Sequence, residues 1–445
     1  MESETGSEKE TGGWLEWLFK LKENNTNPQQ EIIAGFTTFM TMSYIIFVNP
    51  DILSDAGMAF EGVFIATIAG AILGTMVMAL LANYPFVLAS GMGLNAFFAY
   101  SVVIGMGIDW RVALGIVFFE GILFIILSVT PIRKKIVNVI PMCLKTGIST
   151  GIGLFIAFIG FQNAEIVVAD EATLVTMGDI LSGPGLVAII GLIISAFLLV
   201  LDVKGALLWG IVGATLFGFI NGVTPVPEEI ISMPTFGDWS SVFLQLDFSA
   251  ILDVSLIGVM LSFLFVDLFD TAGTLVGVSQ QAGYLDEDGN LPRANRALLA
   301  DAVGTTGGAL FGTTTVTTYV ESAAGVAEGG RTGLTGVVAS FLFLCSLFFM
   351  PLVRIVPSAA TAPALILVGS MMMSNITKLN WDDKTEVIPA FVAMVTMPFA
   401  CSISHGIALG FIVYPLLKLL TGQGKEVHWL IYILGAVFVS YLLFL

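Results

Sequence analysis

The chain is predicted to be an all-α polytopic membrane protein with about fourteen transmembrane segments. Three observations carry this expectation. Of its 445 residues, 56% are hydrophobic and only 11% are charged, against roughly 25% charged in a soluble globular protein. The mean hydropathy is +0.93. Apolar stretches follow one another along almost the whole chain, each near the roughly 20 residues that a helix needs to cross a bilayer. The lipid bilayer is therefore the expected surrounding. The 48 glycines suit close helix approach and backbone that breaks around an internal cavity.

In chain order, residues 1–30 read as a cytoplasmic tail. Their acidic, polar start lacks the basic-then-apolar pattern of a cleavable signal. Spans are expected over 32–50, 62–82, 86–105, 112–130, 142–162, 184–201, 205–221, 250–275, 295–312, 314–328, 333–353, 359–376, 386–401 and 404–421. The stretch 386–421 reads equally as one bent element or two spans, and a further apolar stretch, 429–445, ends the chain. Lys20 and Lys22, then Arg133, Lys134 and Lys135, then Lys204, Arg293, Arg296 and Arg331 all fall on one side if the N-terminus is cytoplasmic. Arg111 and Arg354 are exceptions near outer ends. The acidic loops 163–183 and 222–248 fall outside.

Two segments depart from ordinary spans. Pro85–Tyr100 opens as an extended run, passes Gly91 and Gly93, and then reads as a short helix. Gly312–Gly325 is dense in Thr and Val, which favour β structure, before Glu-Ser-Ala-Ala opens a helix. These are the third and tenth spans. Paired interrupted segments at matching positions in two halves point to an inverted-repeat transporter, with its site between the half-helix ends.

An ionisable residue inside a span is a functional candidate. Asp267 and Asp270 share one helix face, with Thr274 one turn beyond Asp270. Glu321 stands at the strand-to-helix junction of span ten, and Asn95 lies on the matching half-helix of span three. No Lys or Arg neighbours these acids in sequence. A carboxyl that loads and releases a proton near neutral pH is what a proton-coupled carrier requires. Glu120 and Asp301 are also mid-span but read as structural, as does His405 at a local break. Glu328 and Arg331 read as interfacial. Carboxylates, Asn95 and half-helix N–H groups suit a neutral, flat, polar substrate. Phe97, Phe98 and Tyr319 offer rings for stacking, although aromatics in spans are more often packing.

Other classes are disfavoured. A formal net charge of -17 argues against nucleic acid, which needs basic patches. Cys143, Cys345 and Cys401 show no metal-ligand spacing and no disulfide framework. No metal or organic cofactor is expected. An intramembrane aspartyl protease needs its two aspartates on different helices, and a channel gains nothing from broken helices around buried acids.

The segments Ala34-Gly-Phe-Thr-Thr-Phe39, Ile46-Phe-Val-Asn-Pro-Asp-Ile-Leu53, Gly91-Met-Gly-Leu-Asn-Ala-Phe-Phe-Ala-Tyr100, Leu268-Phe-Asp-Thr-Ala-Gly-Thr-Leu275 and Thr317-Thr-Tyr-Val-Glu-Ser-Ala-Ala-Gly325 resemble the AzgA-like purine permeases. That group belongs to the nucleobase/ascorbate transporter superfamily, the xanthine/uracil permeases. The resemblance runs from about residue 14 to the C-terminus. It implies a seven-plus-seven inverted repeat, with a core domain of 31–140 and 250–355 and a gate domain of 141–249 and 356–445. It implies a carrier of adenine, guanine or hypoxanthine in the cytoplasmic membrane, with the proton as coupling ion and a homodimer contact on the gate. By motif match, Glu321, Asp270, Asn95, Gly93, Thr274, Tyr319 and Val320 would bind substrate, and Asp267, Asp270 and Glu321 would couple protons. The uracil and xanthine branches typically carry Glu in span eight, and the uracil carrier a His one turn later. Here those positions are Asp270 and Thr274, which argues against uracil. A xanthine/uracil-type or other anion-type carrier on the same fold is the alternative.

Overall fold

Inside a bilayer, every backbone N–H and C=O must find a protein partner. The two interrupted segments solve this for each other. In the computed structural model of the protein, which describes residues 13–130, 139–227, 229–249, 254–286 and 291–444, the strand Leu88–Ser90 pairs antiparallel with Val316–Thr318. The register is Leu88 with Thr318, Ala89 with Thr317 and Ser90 with Val316. The ladder extends past both strands, with Tyr319 N–H donating to Val87 O at 3.0 Å and Gly91 N–H to Thr315 O at 2.9 Å. Both strands are wholly buried. Each then turns into helix, Met92–Ala96 continuing in wider turns to Gly105, and Ser322–Ala327.

Around this crossing stands a helical bundle. Among the described residues nine helices are long and apolar enough to span a membrane, and Met92–Gly105, Ala206–Asn221 and Trp429–Leu443 are shorter apolar helices. The elements follow the predicted segments in order, with local differences. The first span is two helices, Pro28–Met42 and Ile45–Asp55, offset at Ser43 and Tyr44. Span eight runs to Ala282 rather than 275; its predicted start at 250 lies outside the described residues, as do Arg133, Lys134 and Lys135. The stretch 386–421 is two helices, Lys384–Phe399 and Ile403–Leu420, separated at Cys401, whose φ is 47°. The predicted outer loops carry structure of their own. Val167–Asp170 and Leu174–Met177 form a hairpin, and Phe236–Ser240 is a short helix closed by a Thr235/Asp238 capping box.

Small residues set how closely the bundle approaches the strands. A Cβ built on Gly304 would lie 3.1 Å from Val316 Cγ1 and 3.3 Å from Gly74 Cα. One on Gly74 would lie 3.0 Å from Val316 Cγ1. The helices Phe60–Val77 and Ala294–Phe311 can thus close on Val316 only because both present glycine there. Elsewhere, Gly147, Gly153 and Gly160 of Met142–Asn163 seat that helix against Ala390, Gly369 and Ala362. Asn49 adds a polar tie, donating to Thr67 Oγ1 at 2.8 Å and Thr313 Oγ1 at 2.9 Å.

The break into the second strand begins at Gly312, which ends the helix Ala294–Phe311 at φ 96°. A Cβ there would lie 2.5 Å from Val242 Cβ and 2.7 Å from Val242 O. Gly312→Ala therefore combines left-handed backbone with a clash, and is expected to cost about 1–3 kcal/mol. Thermal unfolding of detergent-purified protein should show a lowered midpoint. An unchanged midpoint would mean that this turn does not constrain the break.

Candidate functional site

Three chain breaks converge on one cavity of about 420 Å³, within the roughly 300–1,000 Å³ of small-molecule pockets. One wall is the end of the strand pair, Gly91–Leu94 and Thr317–Glu321. Asp270, Gly273, Thr274 and Gly277 form a second wall along one face of Val254–Ala282. Opposite stand Ile148 and Ile152 of Met142–Asn163, with Met371, Asn375 and Lys378 at the end of the Ser358–Lys378 segment. The offset in the first span brings Tyr44 to the cavity, where its hydroxyl donates to Glu321 Oε1 at 2.6 Å. Asp270 and Glu321 are each partly exposed to this space.

Of the residues singled out in the sequence, Glu321, Asp270, Gly93, Thr274, Tyr319 and Val320 line the cavity together. Asn95 and Asp267 do not; both are fully buried behind its wall. Asn95 Oδ1 accepts from the Thr314 hydroxyl, and its Nδ2 donates to Ser90 O at 3.4 Å. It thus fastens the half-helix Met92–Ala96 to both interrupted segments. Asp267 accepts from Thr271 at 3.2 Å and from Thr305 at 3.4 Å. Tyr319 lines the cavity by its ring while its hydroxyl donates to Ser90 O at 2.5 Å. Phe97 and Phe98 are buried packing, with Phe97 4.5 Å from the Phe263 ring. His405 lies away from the cavity, its N–H donating to Ser402 Oγ.

Sequence reasoning missed four contributors. Tyr44 is at an offset that no Gly or Pro marks. Asn375 and Lys378 sit at a span end, where their placement depends on which helix faces them. Asp301, read as structural, is a junction of the site. It accepts from the Thr318 hydroxyl at 2.6 Å, the Thr318 amide at 3.2 Å and the Thr271 hydroxyl.

Electrostatically the site is one-sided. Among the described residues, Glu120, Asp267, Asp270 and Glu321 form no ion pair with Lys or Arg. Lys378 at the cavity rim is instead bonded to Asn375 Oδ1 at 2.9 Å. The walls can accept hydrogen bonds from N–H donors at Asp270 and Glu321, offer a hydroxyl at Thr317, and cover a flat ligand with apolar side chains.

A cavity between the ends of two broken spans, inside a bundle of membrane helices, defines a solute carrier. The transmembrane domain of a cyanobacterium bicarbonate transporter, BicA, has a similar fold, with a TM-score of 0.65 at 14% identity, covering 86% of this chain and 97% of that one. Residues 29–409 match the Permease family of xanthine/uracil type, and the chain belongs to that family. It is a permease and not an enzyme. A protein of Methanocaldococcus jannaschii is 53% identical, covering 96% of this chain and 97% of its own length. The guanine/hypoxanthine permease PbuO of Bacillus subtilis is 48% identical, over 95% and 98%. The adenine permease AdeP of Escherichia coli is 43% identical, over 97% of each.

Asp301→Ala would strip the Thr318 hydroxyl and amide of their acceptor and leave the Thr271 hydroxyl only Asp267. The loss is expected at about 2–5 kcal/mol, while Asp301→Asn, which keeps one acceptor oxygen, should cost less. Melting curves of the two purified variants would read the difference. Equal and small effects would show that Asp301 does not hold the strand.

Proposed function

We propose that the protein imports purine nucleobases (hypoxanthine, guanine or adenine) across the cytoplasmic membrane in symport with protons. The observation that carries this reading is the meeting of Glu321 and Asp270 on one cavity without a paired cation. Such carboxylates favour a neutral ligand rich in N–H donors and disfavour an anion. The relatives whose names state a guanine, hypoxanthine or adenine substrate support the purine class.

In this reading Glu321 and Asp270 accept hydrogen bonds from ring N–H and amino groups of the base. Tyr44 fixes the orientation of Glu321. Gly93, Thr274, Tyr319 and Val320 shape the wall, Asn95 holds the half-helix in place, and Asp267 couples proton loading to movement. The moving body is the core, 31–140 and 250–355, sliding against the gate, 141–249 and 356–445. The cavity follows Asp270 along Gly273 and Gly277, both exposed, toward the end of that helix nearest Arg293 and Arg296. By the Lys/Arg bias this is the cytoplasmic side, so the conformation is inward-open. Two contacts serve as examples of those that join the proposed core to the proposed gate. Asp51 accepts from Ser358 at 2.8 Å and from Thr361 at 2.7 Å, and Lys204 pairs with Glu328 at 3.2 Å. Both must part if the core moves.

Labelled hypoxanthine, guanine and adenine should enter cells that lack their own carriers, saturably and with sensitivity to a protonophore. Glu321→Ala and Asp270→Ala should each lower uptake about 10-fold or more, as expected for one charge-assisted hydrogen bond of about 1.5–3 kcal/mol. Wild-type uptake by Glu321→Ala would sink the site assignment, and indifference to the protonophore would sink proton coupling. A second experiment addresses the movement. Oxidising the double variant Asp51→Cys/Thr361→Cys should stop uptake, and reduction should restore it. Full uptake by the cross-linked protein would rule out sliding between these two parts.

A further inference from the structure

Glu120 is a buried acid that the substrate site leaves unused. It sits in the middle of Trp110–Val129 with no exposure to solvent. Neither of its oxygens has a hydrogen-bond donor among the described residues. The carboxyl of Asp267 faces it across the interface with Val254–Ala282. Two carboxylates cannot hydrogen-bond unless one carries a proton, since each ionised group only accepts. Two bare charges so deeply buried, with no Lys or Arg paired to either among the described residues, would be strongly unfavourable.

The surroundings carry the state of this pair further. The groups facing Asp267 are Glu120 from Trp110–Val129, Asp301 from Ala294–Phe311, and Asp270 on its own helix. The Thr271 hydroxyl lies against both Asp267 and Asp301. It has a single hydrogen to donate, so its orientation depends on which neighbour is protonated. Asp301 in turn holds the hydroxyl and the amide of Thr318, which lines the cavity.

We propose that Glu120 and Asp267 form a proton-binding site outside the substrate cavity, which takes up the coupling proton while Asp270 and Glu321 hold the base. One proton bridges the two carboxyls as O–H···O⁻. Entry of a second proton onto the remaining carboxylate replaces that charge-assisted bridge by a weaker neutral hydrogen bond and takes the pair from one negative charge to none. Thr271 turns, and Asp301 passes the change to Thr318 on the cavity wall. This inference rests on the reading of the protein as a proton-coupled carrier, and it moves the proton away from the groups that touch substrate.

The test uses the full chain reconstituted in lipid vesicles, with labelled hypoxanthine as probe. Wild-type vesicles should accumulate hypoxanthine under a proton gradient and exchange it without one. Glu120→Gln should lose gradient-driven accumulation while keeping exchange and hypoxanthine affinity, and the pH dependence of binding should flatten. Infrared difference spectra on hypoxanthine binding should show a protonated-carboxyl band in the wild type that Glu120→Gln lacks. Gradient-driven accumulation by Glu120→Gln at the wild-type level would overturn the proposal. So would loss of hypoxanthine binding by that variant, which would make Glu120 a residue of the fold. If the wild type itself ignored the proton gradient, the proton-coupled reading would fail, and the role of the pair with it.

Discussion

The antiparallel contact between Leu88–Ser90 and Val316–Thr318 is the constraint on which the rest depends. A helix satisfies its own backbone, so a membrane chain can leave helical geometry only where another segment supplies partners. Here two breaks are paired in register and wrapped by glycine-bearing helices. The freed ends then turn into short helices, and the space between their starts and Val254–Ala282 becomes the cavity. Asn95, Asp301 and Ser322 are the side chains that pin this arrangement, Ser322 Oγ accepting from Val87 N–H at 3.0 Å.

The acids lie in two layers, and the layers differ in what they can reach. Asp270 and Glu321 border the cavity and can exchange partners with whatever enters it. Asp267, Asp301 and Glu120 are wholly buried, so their exchangeable partners are protons and neighbouring hydroxyls. Accepting hydrogen bonds from a ligand and bracing the strands from behind are separate tasks, and here Asp270 borders the cavity while Asp267, one helix turn away, is buried behind it.

Much of this could be read in the sequence, because membrane burial makes unusual residues conspicuous. The order of the spans follows from apolar length. The two interruptions follow from Thr and Val where helix formers belong, and Asp270 and Glu321 stand out as charges in apolar runs. What escaped depends on tertiary placement. Tyr44 carries no local signal, since its role arises from a helix offset that puts it opposite Glu321. Asn95 and Asp267 were visible as polar residues, but their position behind the wall follows from how the strands cross. Asp301 and Glu120 resembled isolated structural acids because their partners lie on other helices.

The strand pairing also bears on how the protein is made. Val87 and Ser322, bonded in the finished molecule, are 235 residues apart. At about 5–20 residues per second, the first strand is synthesised roughly ten to fifty seconds before its partner exists. During that interval its open edge cannot rest in lipid. The nascent chain therefore stays incomplete as a membrane structure until its second half arrives.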